Sequence, residues 1–158
     1  MPQTSAGILP YRAGSDGQLE VLVVHPGGPF WKHKDAQAWS VAKGEYGPDE
    51  EPLAAAEREF AEELGVPAPG GPRLDLGEVR QSSGKVVRVW AVEAADLVDG
   101  SVASNTFEME WPPGSGVVQA FPEVDRAEWM AVPEARLRLV PAQVAFLERL
   151  VDQVTRDD

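Results

Sequence analysis

The sequence predicts an α/β fold in which helices pack on the faces of a mixed β-sheet. Strand-like apolar segments precede and follow one central helical segment, and a second helical stretch lies near residue 158. Strands on both sides of a helix in the chain favour such a layered arrangement. The glycines and prolines are scattered between periodic segments as turns, and 158 residues suffice for one core, so we expect residues 1–158 to form a single domain.

The predicted strands are short segments rich in β-branched and aromatic residues. Before the central helix they are residues 6–12, 19–25 and 38–42, with a hairpin turn between the first two. After the helix they are residues 74–81, 86–92, 106–111 and 127–132.

The central helix is predicted over residues 52–64, where apolar side chains recur at helical spacing through Phe60. Pro52 suits a first helical turn, and Gly65 suits the position just after a helix. Two further helices are predicted over residues 133–139 and 141–155.

Charge and composition exclude several classes of protein. The formal net charge of −12 repels polyanions, so we expect no nucleic acid polymer as partner, and a phosphate-rich ligand would need local cations. The absence of cysteine excludes disulfides, Cys-based zinc sites and thiol nucleophiles, and it is compatible with the cytoplasm, where we place the protein. No apolar run is long enough to span a bilayer, so we expect no membrane association.

Three carboxylates crowd the C-terminal part of the central helix. Glu59 and Glu63 lie one turn apart, and Glu62 lies beside them. Their mutual repulsion weakens a helix unless a cation binds, and Mg²⁺ or Mn²⁺ prefers such oxygen ligands. Arg58 is placed to hold Glu62 by a bidentate contact. The alternative is a solvated acidic face with no ligand.

The spacing of the whole segment favours the metal site. Gly44, Glu50, the Arg58–Glu59 pair, the Glu62–Glu63 pair and Gly65 occupy the positions of the Nudix box, and the chain resembles the Nudix hydrolase family. The resemblance implies an α/β/α sandwich with a mixed sheet, and an enzyme that uses Mg²⁺ or Mn²⁺ to cleave a phosphoanhydride bond.

The same resemblance implies roles for individual residues. Glu59 and Glu63 correspond to principal metal ligands, and Glu62 corresponds to a ligand or to the base that positions water. Gly44 would offer its carbonyl to a metal, and Arg58 would orient the glutamates together with Glu50.

Many family members use a further acid outside the box, shortly before a strand that carries a tryptophan. Glu123 is our choice for this metal ligand, with Asp125 and Glu128 as competitors.

The substrate is expected to be small and nucleotide-like. The Lys43–Gly44 pair before the box resembles the branch that includes diadenosine polyphosphate hydrolases, and Lys43 could meet a substrate phosphate. Trp31, in a loop with several cations, and Arg80 are further substrate-binding candidates, although a surface loop and an exposed cation explain them equally simply. The alternatives are a pyrophosphatase for triphosphates or nucleotide sugars, and a module that senses a nucleotide without cleaving it. The sequence leaves a homodimer open.

Overall fold

The computed structural model describes residues 3–97, 100–101 and 104–156. Its helices are α1 (Pro52–Leu64), α2 (Val132–Arg138) and α3 (Val144–Arg156), and a 3-10 turn over Pro141–Gln143 precedes α3. Its strands in chain order are β1 (Thr4–Ala13), β2 (Leu19–Pro26), β3 (Ala42–Glu45), β4 (Leu74–Arg80), β5 (Val86–Glu93), β6 (Gly100–Ser101), β7 (Thr106–Glu110), β8 (Val118–Pro122) and β9 (Val124–Ala131).

Strand β1 lies near the centre of a seven-stranded mixed sheet. Six of its strands follow the order β4-β5-β1-β2-β9-β6, and the seventh, β3, also pairs with β1. Strand β1 runs parallel to β5 on one edge. Its other edge is shared by two antiparallel partners: residues 5–8 pair with β3, and residues 11–13 pair with β2. The segment that leads into α1 therefore leaves the sheet from beside its central strand.

The strands alternate side chains between two hydrophobic cores, as expected for a sheet covered on both faces. Ile8 and Leu22 join α1 residues such as Phe60 on one face. Leu9 and Val23 join α2 and α3 on the other face. This arrangement confirms the predicted α/β/α sandwich with a mixed sheet.

Helix α1 has the bounds that the sequence predicts. Pro52 occupies its first turn, and Gly65 follows it with φ 73°, in the left-handed region that glycine adopts without steric penalty. The Gly65 N–H donates to the Ala61 carbonyl and closes the last turn. This end of α1 holds Glu62 and Glu63.

The strand predicted over residues 38–42 is wrong, because regular pairing starts only at Ala42. Trp39 and Ser40 form isolated bridges to Leu139 and Val24 instead. Their backbone joins α2 to the sheet, and their burial produced the apolar pattern that resembled a strand.

Strands β6 and β8 escaped prediction, because β6 has two residues and most of β8 is exposed, so neither shows an apolar alternation. Strand β8 pairs with β7 in a separate two-stranded sheet. Among the described residues, no helix has the length and apolar character needed to cross a membrane.

Candidate active site

Arg58 is the centre of an ion-pair network on α1. Its Nε and Nη2 donate to the two carboxylate oxygens of Glu50 at 2.7 and 2.8 Å, a bidentate contact. Its Nη1 donates to Glu59 Oε1 at 2.8 Å and to Glu62 Oε2 at 3.2 Å. One guanidinium thus joins the loop before α1 to two carboxylates on the helix, and its bidentate contact is with Glu50, not with Glu62 as expected from the sequence.

The Glu59 carboxylate lies directly against Gly44 in β3. A Cβ atom at position 44 would overlap this carboxylate, so only glycine leaves room for it. The Glu59 side chain is 13% exposed, and Gly44 pairs with Ala6 of β1. The box loop and α1 therefore meet at this contact.

Glu63 lies one turn further along α1 and is also buried, with 7% of its surface exposed. Its Oε2 accepts a hydrogen bond from the Lys43 backbone N–H at 3.3 Å. Glu59 and Glu63 thus face the backbone of two consecutive β3 residues.

Burial raises the pKa of both carboxyl groups in the metal-free protein. For Glu63, burial raises the pKa to about 8, against the opposing charge and backbone N–H of Lys43, while Glu59 and Glu123 add to the increase. For Glu59, burial raises the pKa and Arg58 opposes it, while Glu62 and Glu123 raise it further. Burial also lowers the pKa of Lys43. Burial therefore favours the neutral carboxyl groups, and a bound cation would favour their ionised forms.

Glu123 lies close enough to act electrostatically on both Glu59 and Glu63. Its backbone N–H donates to the Asn105 carbonyl at 2.8 Å, and the Asn105 N–H donates to the Glu62 carbonyl at 3.2 Å. Asn105 therefore ties the end of α1 to the segment between β8 and β9. No pattern of residue types signals this role, because Asn105 acts here only through backbone atoms.

The two competitors of Glu123 are engaged elsewhere. Asp125 accepts a hydrogen bond from the buried His25 Nδ1 at 3.0 Å. Glu128 pairs with Val23, whose side chain belongs to the core under α3, so Glu128 points to the face opposite α1. Of the three acids, Glu123 is the one with an electrostatic effect on the α1 glutamates.

Arg58 holds Glu59 and Glu62 through the same Nη1 atom. In this arrangement, no group of three Asp, Glu or His side chains in the described part of the chain is gathered tightly enough to hold a metal ion. Glu62 is the most exposed of the α1 carboxylates contacted by Arg58, with 38% of its side chain accessible.

The substrate-binding candidates occupy different places. Lys43 lies in β3 beside Glu63, within the carboxylate cluster. Arg80 lies exposed at the end of β4, whereas Lys85, across the same hairpin, pairs with Glu45 at 3.2 Å. Trp31 packs edge-to-face on Phe30, with ring centroids 5.2 Å apart. Only Lys43 is brought to the glutamates by the contacts described.

Solved structures of Nudix proteins share this fold at low sequence identity. The Ap4A hydrolase of C. elegans, in a binary complex, is 19% identical, with 98% of each chain covered and a TM-score of 0.64. The NUDIX domain of Shewanella oneidensis NrtR, complexed with ADP ribose, is 15% identical over 98% of this chain and 89% of that one, with a TM-score of 0.66. The Nudix hydrolase RenU from M. smegmatis is 22% identical over 97% and 86%, with a TM-score of 0.59.

The family follows from a second comparison. The family model of the NUDIX domain matches residues 1–150, and the chain therefore belongs to the Nudix hydrolase family. No curated protein matches the chain. The resemblance that the box residues carry is thereby confirmed, while the roles of the individual residues stay predictions.

Proposed function

We propose that this protein is a divalent-metal-dependent hydrolase that cleaves a phosphoanhydride bond in a nucleoside polyphosphate. The observation that carries the proposal is that the buried Glu63 carboxylate and the partly buried Glu59 carboxylate face the backbone of Lys43 and Gly44. Burying a carboxylate is costly, and sites that perturb the pKa of a carboxyl group are candidates for function.

The donors present fit a hard dication. Carboxylate and carbonyl oxygens are the ligands that Mg²⁺ and Mn²⁺ prefer, and the missing Cβ at Gly44 leaves its backbone open toward Glu59. Glu59, Glu63 and the Gly44 carbonyl would hold the ion, with Glu62 and Glu123 as further ligands. When bound, the ion supplies charge neutralisation at the phosphate oxygens and lowers the pKa of water at the site.

The side chains around these ligands have separate tasks. Arg58 fixes Glu59 and Glu62 through one guanidinium, so their carboxylates approach the substrate already oriented. Glu62 or Glu59 accepts a proton from the attacking water, which enters in line with the leaving phosphate. Lys43 places a positive charge beside the cluster, where it meets a substrate phosphate.

The substrate we favour is a nucleoside polyphosphate, including dinucleoside polyphosphates such as diadenosine tetraphosphate. The Lys43–Gly44 pair supports this choice, because it places the Lys43 side chain beside Glu63 and Glu59. We place the enzyme in the cytoplasm, where such nucleotides are made and used.

A substrate panel tests the function. Purified protein with Mg²⁺ or Mn²⁺ is incubated with dinucleoside polyphosphates, nucleoside triphosphates and nucleotide sugars, and the products are analysed in ¹⁸O-water. We expect hydrolysis of a polyphosphate, its loss in EDTA and its return with added dication. Faster hydrolysis of triphosphates or nucleotide sugars would show that one of these compounds is the substrate. Binding of a compound without cleavage of any would indicate that the protein is a nucleotide sensor.

Two variants test the residue roles. Glu63→Gln and Glu62→Gln are each expected to lower kcat by about 100-fold or more, the range for loss of a positioned acid–base group. Glu57→Gln is the matched control, because Glu57 is on the same helix but pairs with Arg73 at 3.1 Å. Full activity of both test variants would refute these roles.

A further inference from the structure

The hairpin of β7 and β8 stands beside the candidate active site. It is held to the rest of the molecule mainly at its base, where the Gly27 N–H donates to the Glu123 carbonyl at 2.9 Å and Glu123 in turn bonds to Asn105. Strands β7 and β8 pair with each other outside the main sheet. The hairpin therefore forms a projecting wall next to Glu123.

Two consecutive glycines allow this wall to close against the loop that follows β2. A Cβ at Gly27 would overlap the Pro122 carbonyl, and a Cβ at Gly28, which has φ 94°, would lie 2.9 Å from the Phe107 ring. Any larger side chain at either position would push the hairpin away. The two glycines thus permit close approach of the two segments.

A cavity of about 440 Å³ lies between the loop and the hairpin. The aromatic rings of Trp111 and Phe121 line it, together with Pro29, Lys32, Gln119 and Asp125. This volume lies within the range of small-molecule sites, and the lining combines apolar rings with a few polar groups, as in such sites. It offers an ammonium donor, a carboxylate acceptor and an amide that does both.

The position of the cavity relates it to the carboxylate cluster. Phe121 and Asp125 each lie two residues from Glu123, and Glu123 acts electrostatically on Glu59 and Glu63. Two residues of extended chain span only about 7 Å. One ligand with an aromatic end and a phosphate end can therefore occupy the cavity and the cluster together.

We propose that the cavity between the loop residues Gly28, Pro29 and Lys32 and the β7–β8 hairpin binds the heterocyclic base of the substrate, with Trp111 as the main specificity-determining residue. The indole stacks on the base, and Asp125 and Lys32 meet polar atoms at its edge. This inference rests on the proposed function for the phosphate end of the ligand. A base site of this kind implies that the substrate is a nucleotide and not a phosphoanhydride that lacks an aromatic ring.

The first experiment follows ring binding without catalysis. ¹⁵N-labelled protein in EDTA is titrated with adenosine, guanosine, cytidine and uridine, and the Trp111 indole signal is assigned from a Trp111→Phe spectrum. We expect at least one nucleoside to shift the Trp111 and Gln119 side-chain signals, and ribose 5-phosphate to leave them unchanged. Shifts that avoid this cavity, or no shift with any nucleoside, would overturn the proposal even if the enzyme hydrolyses nucleotides.

The second experiment separates binding from chemistry with the best nucleotide substrate of the panel. Trp111→Ala is expected to raise KM between about fivefold and 150-fold, the effect of losing one base–aromatic stack, with kcat within about twofold. Trp111→Phe keeps a ring and restores most of the affinity. Phe30→Ala is the matched control, since Phe30 is 58% exposed on the same loop and packs on Lys34 outside the cavity.

The outcomes distinguish this proposal from the function on which it rests. If nucleosides bind in the cavity but no substrate is hydrolysed, the proposed function is wrong and the base site is still supported. Hydrolysis with equal KM in wild type and Trp111→Ala would keep the function and remove the base site. A Trp111→Ala protein that fails to fold is replaced by Trp111→Leu, which keeps apolar volume but offers no ring to stack.

Discussion

At the scale of single residues, the candidate site depends on the absence of a side chain at Gly44. The Glu59 carboxylate occupies the space that a Cβ at Gly44 would need. The glycine at this position of the box is therefore explained by close approach, because its φ lies outside the left-handed region and backbone strain is not the reason.

Gly44→Ala is expected to displace the Glu59 carboxylate and lower kcat by about 100-fold, as a displacement of about 1 Å does in an active site. The measurement is steady-state hydrolysis, with circular dichroism as the check on folding. Gly47→Ala is the matched control in the same loop, since a Cβ there meets no atom within 4 Å. Equal activity of the two variants would contradict the contact.

Arg58 acts as a single connector for three carboxylates, and the geometry of its guanidinium is what makes this possible. A lysine offers one point charge and cannot contact Glu50 through two parallel hydrogen bonds. Arg58→Lys is thus expected to lower kcat at least about tenfold while the unfolding temperature stays within a few degrees, because these ion pairs are partly exposed. Activity within twofold of wild type would show that charge alone suffices.

At the scale of elements, helix α1 ends where the site needs it to end. Gly65 adopts φ 73°, and its N–H closes the last turn immediately after Glu63. The main chain then leaves the helix without disturbing the hydrogen bond between the Glu62 carbonyl and Asn105.

Gly65→Ala places a Cβ in the left-handed region and is expected to lower the free energy of unfolding by about 1 kcal/mol. For a protein of this size that corresponds to a decrease of about 2–4 °C in Tm. Urea and thermal unfolding measure both values. Gly70→Ala serves as control, because its Cβ would meet no atom within 4 Å, and an equal loss in both variants would argue against the conformational cause.

Strand β4 contains an irregularity that one carboxylate stabilises. The register shifts between Asp75 and Glu78, and Asp75 accepts a hydrogen bond from the Gly77 N–H at 2.8 Å and pairs with Arg88 at 2.9 Å. The Gly77 N–H, followed by Arg88, lowers the pKa of Asp75 below its usual value of 3.8.

Because the native pKa is the lower one, Asp75 contributes stability above its ordinary pKa and loses it as pH falls through the depressed native value. Asp75→Ala is therefore expected to unfold more easily than wild type at pH 7, and the difference should shrink as the pH falls below about 3.8. Urea unfolding at pH 7, 4 and 2.5 gives the comparison. A difference that is the same at all three values would show that the ionised form is not what stabilises the strand.

At the scale of the whole molecule, the sequence predicted the parts that local chemistry determines. Pro52 and Gly65 gave the bounds of α1, and the order of strand-like and helical segments gave a sheet covered on both faces. Contacts made through backbone atoms, such as those of Asn105, could not be predicted, because they do not require a particular residue type. The exposed strand β8 had no apolar pattern to reveal it, although its hairpin forms a wall of the proposed base cavity.

The net charge of −12 makes cations important for the binding of any phosphate-rich ligand. Such a surface repels a free polyphosphate at long range. Burial raises the pKa of Glu59 and Glu63, so their carboxyl groups need a bound cation to favour the ionised forms. We therefore expect binding of a polyphosphate to require dications at these carboxylates.

The most direct test of dication binding is isothermal titration calorimetry, in which Mg²⁺ or Mn²⁺ is titrated into the protein with a slowly hydrolysed nucleotide analogue bound. We expect dication binding to the wild type and to the Glu57→Gln control, and binding weakened at least about tenfold in Glu63→Gln. Equal uptake in all three proteins, or no uptake in the wild type with nucleotide present, would contradict the assignment of Glu59 and Glu63 as the metal site.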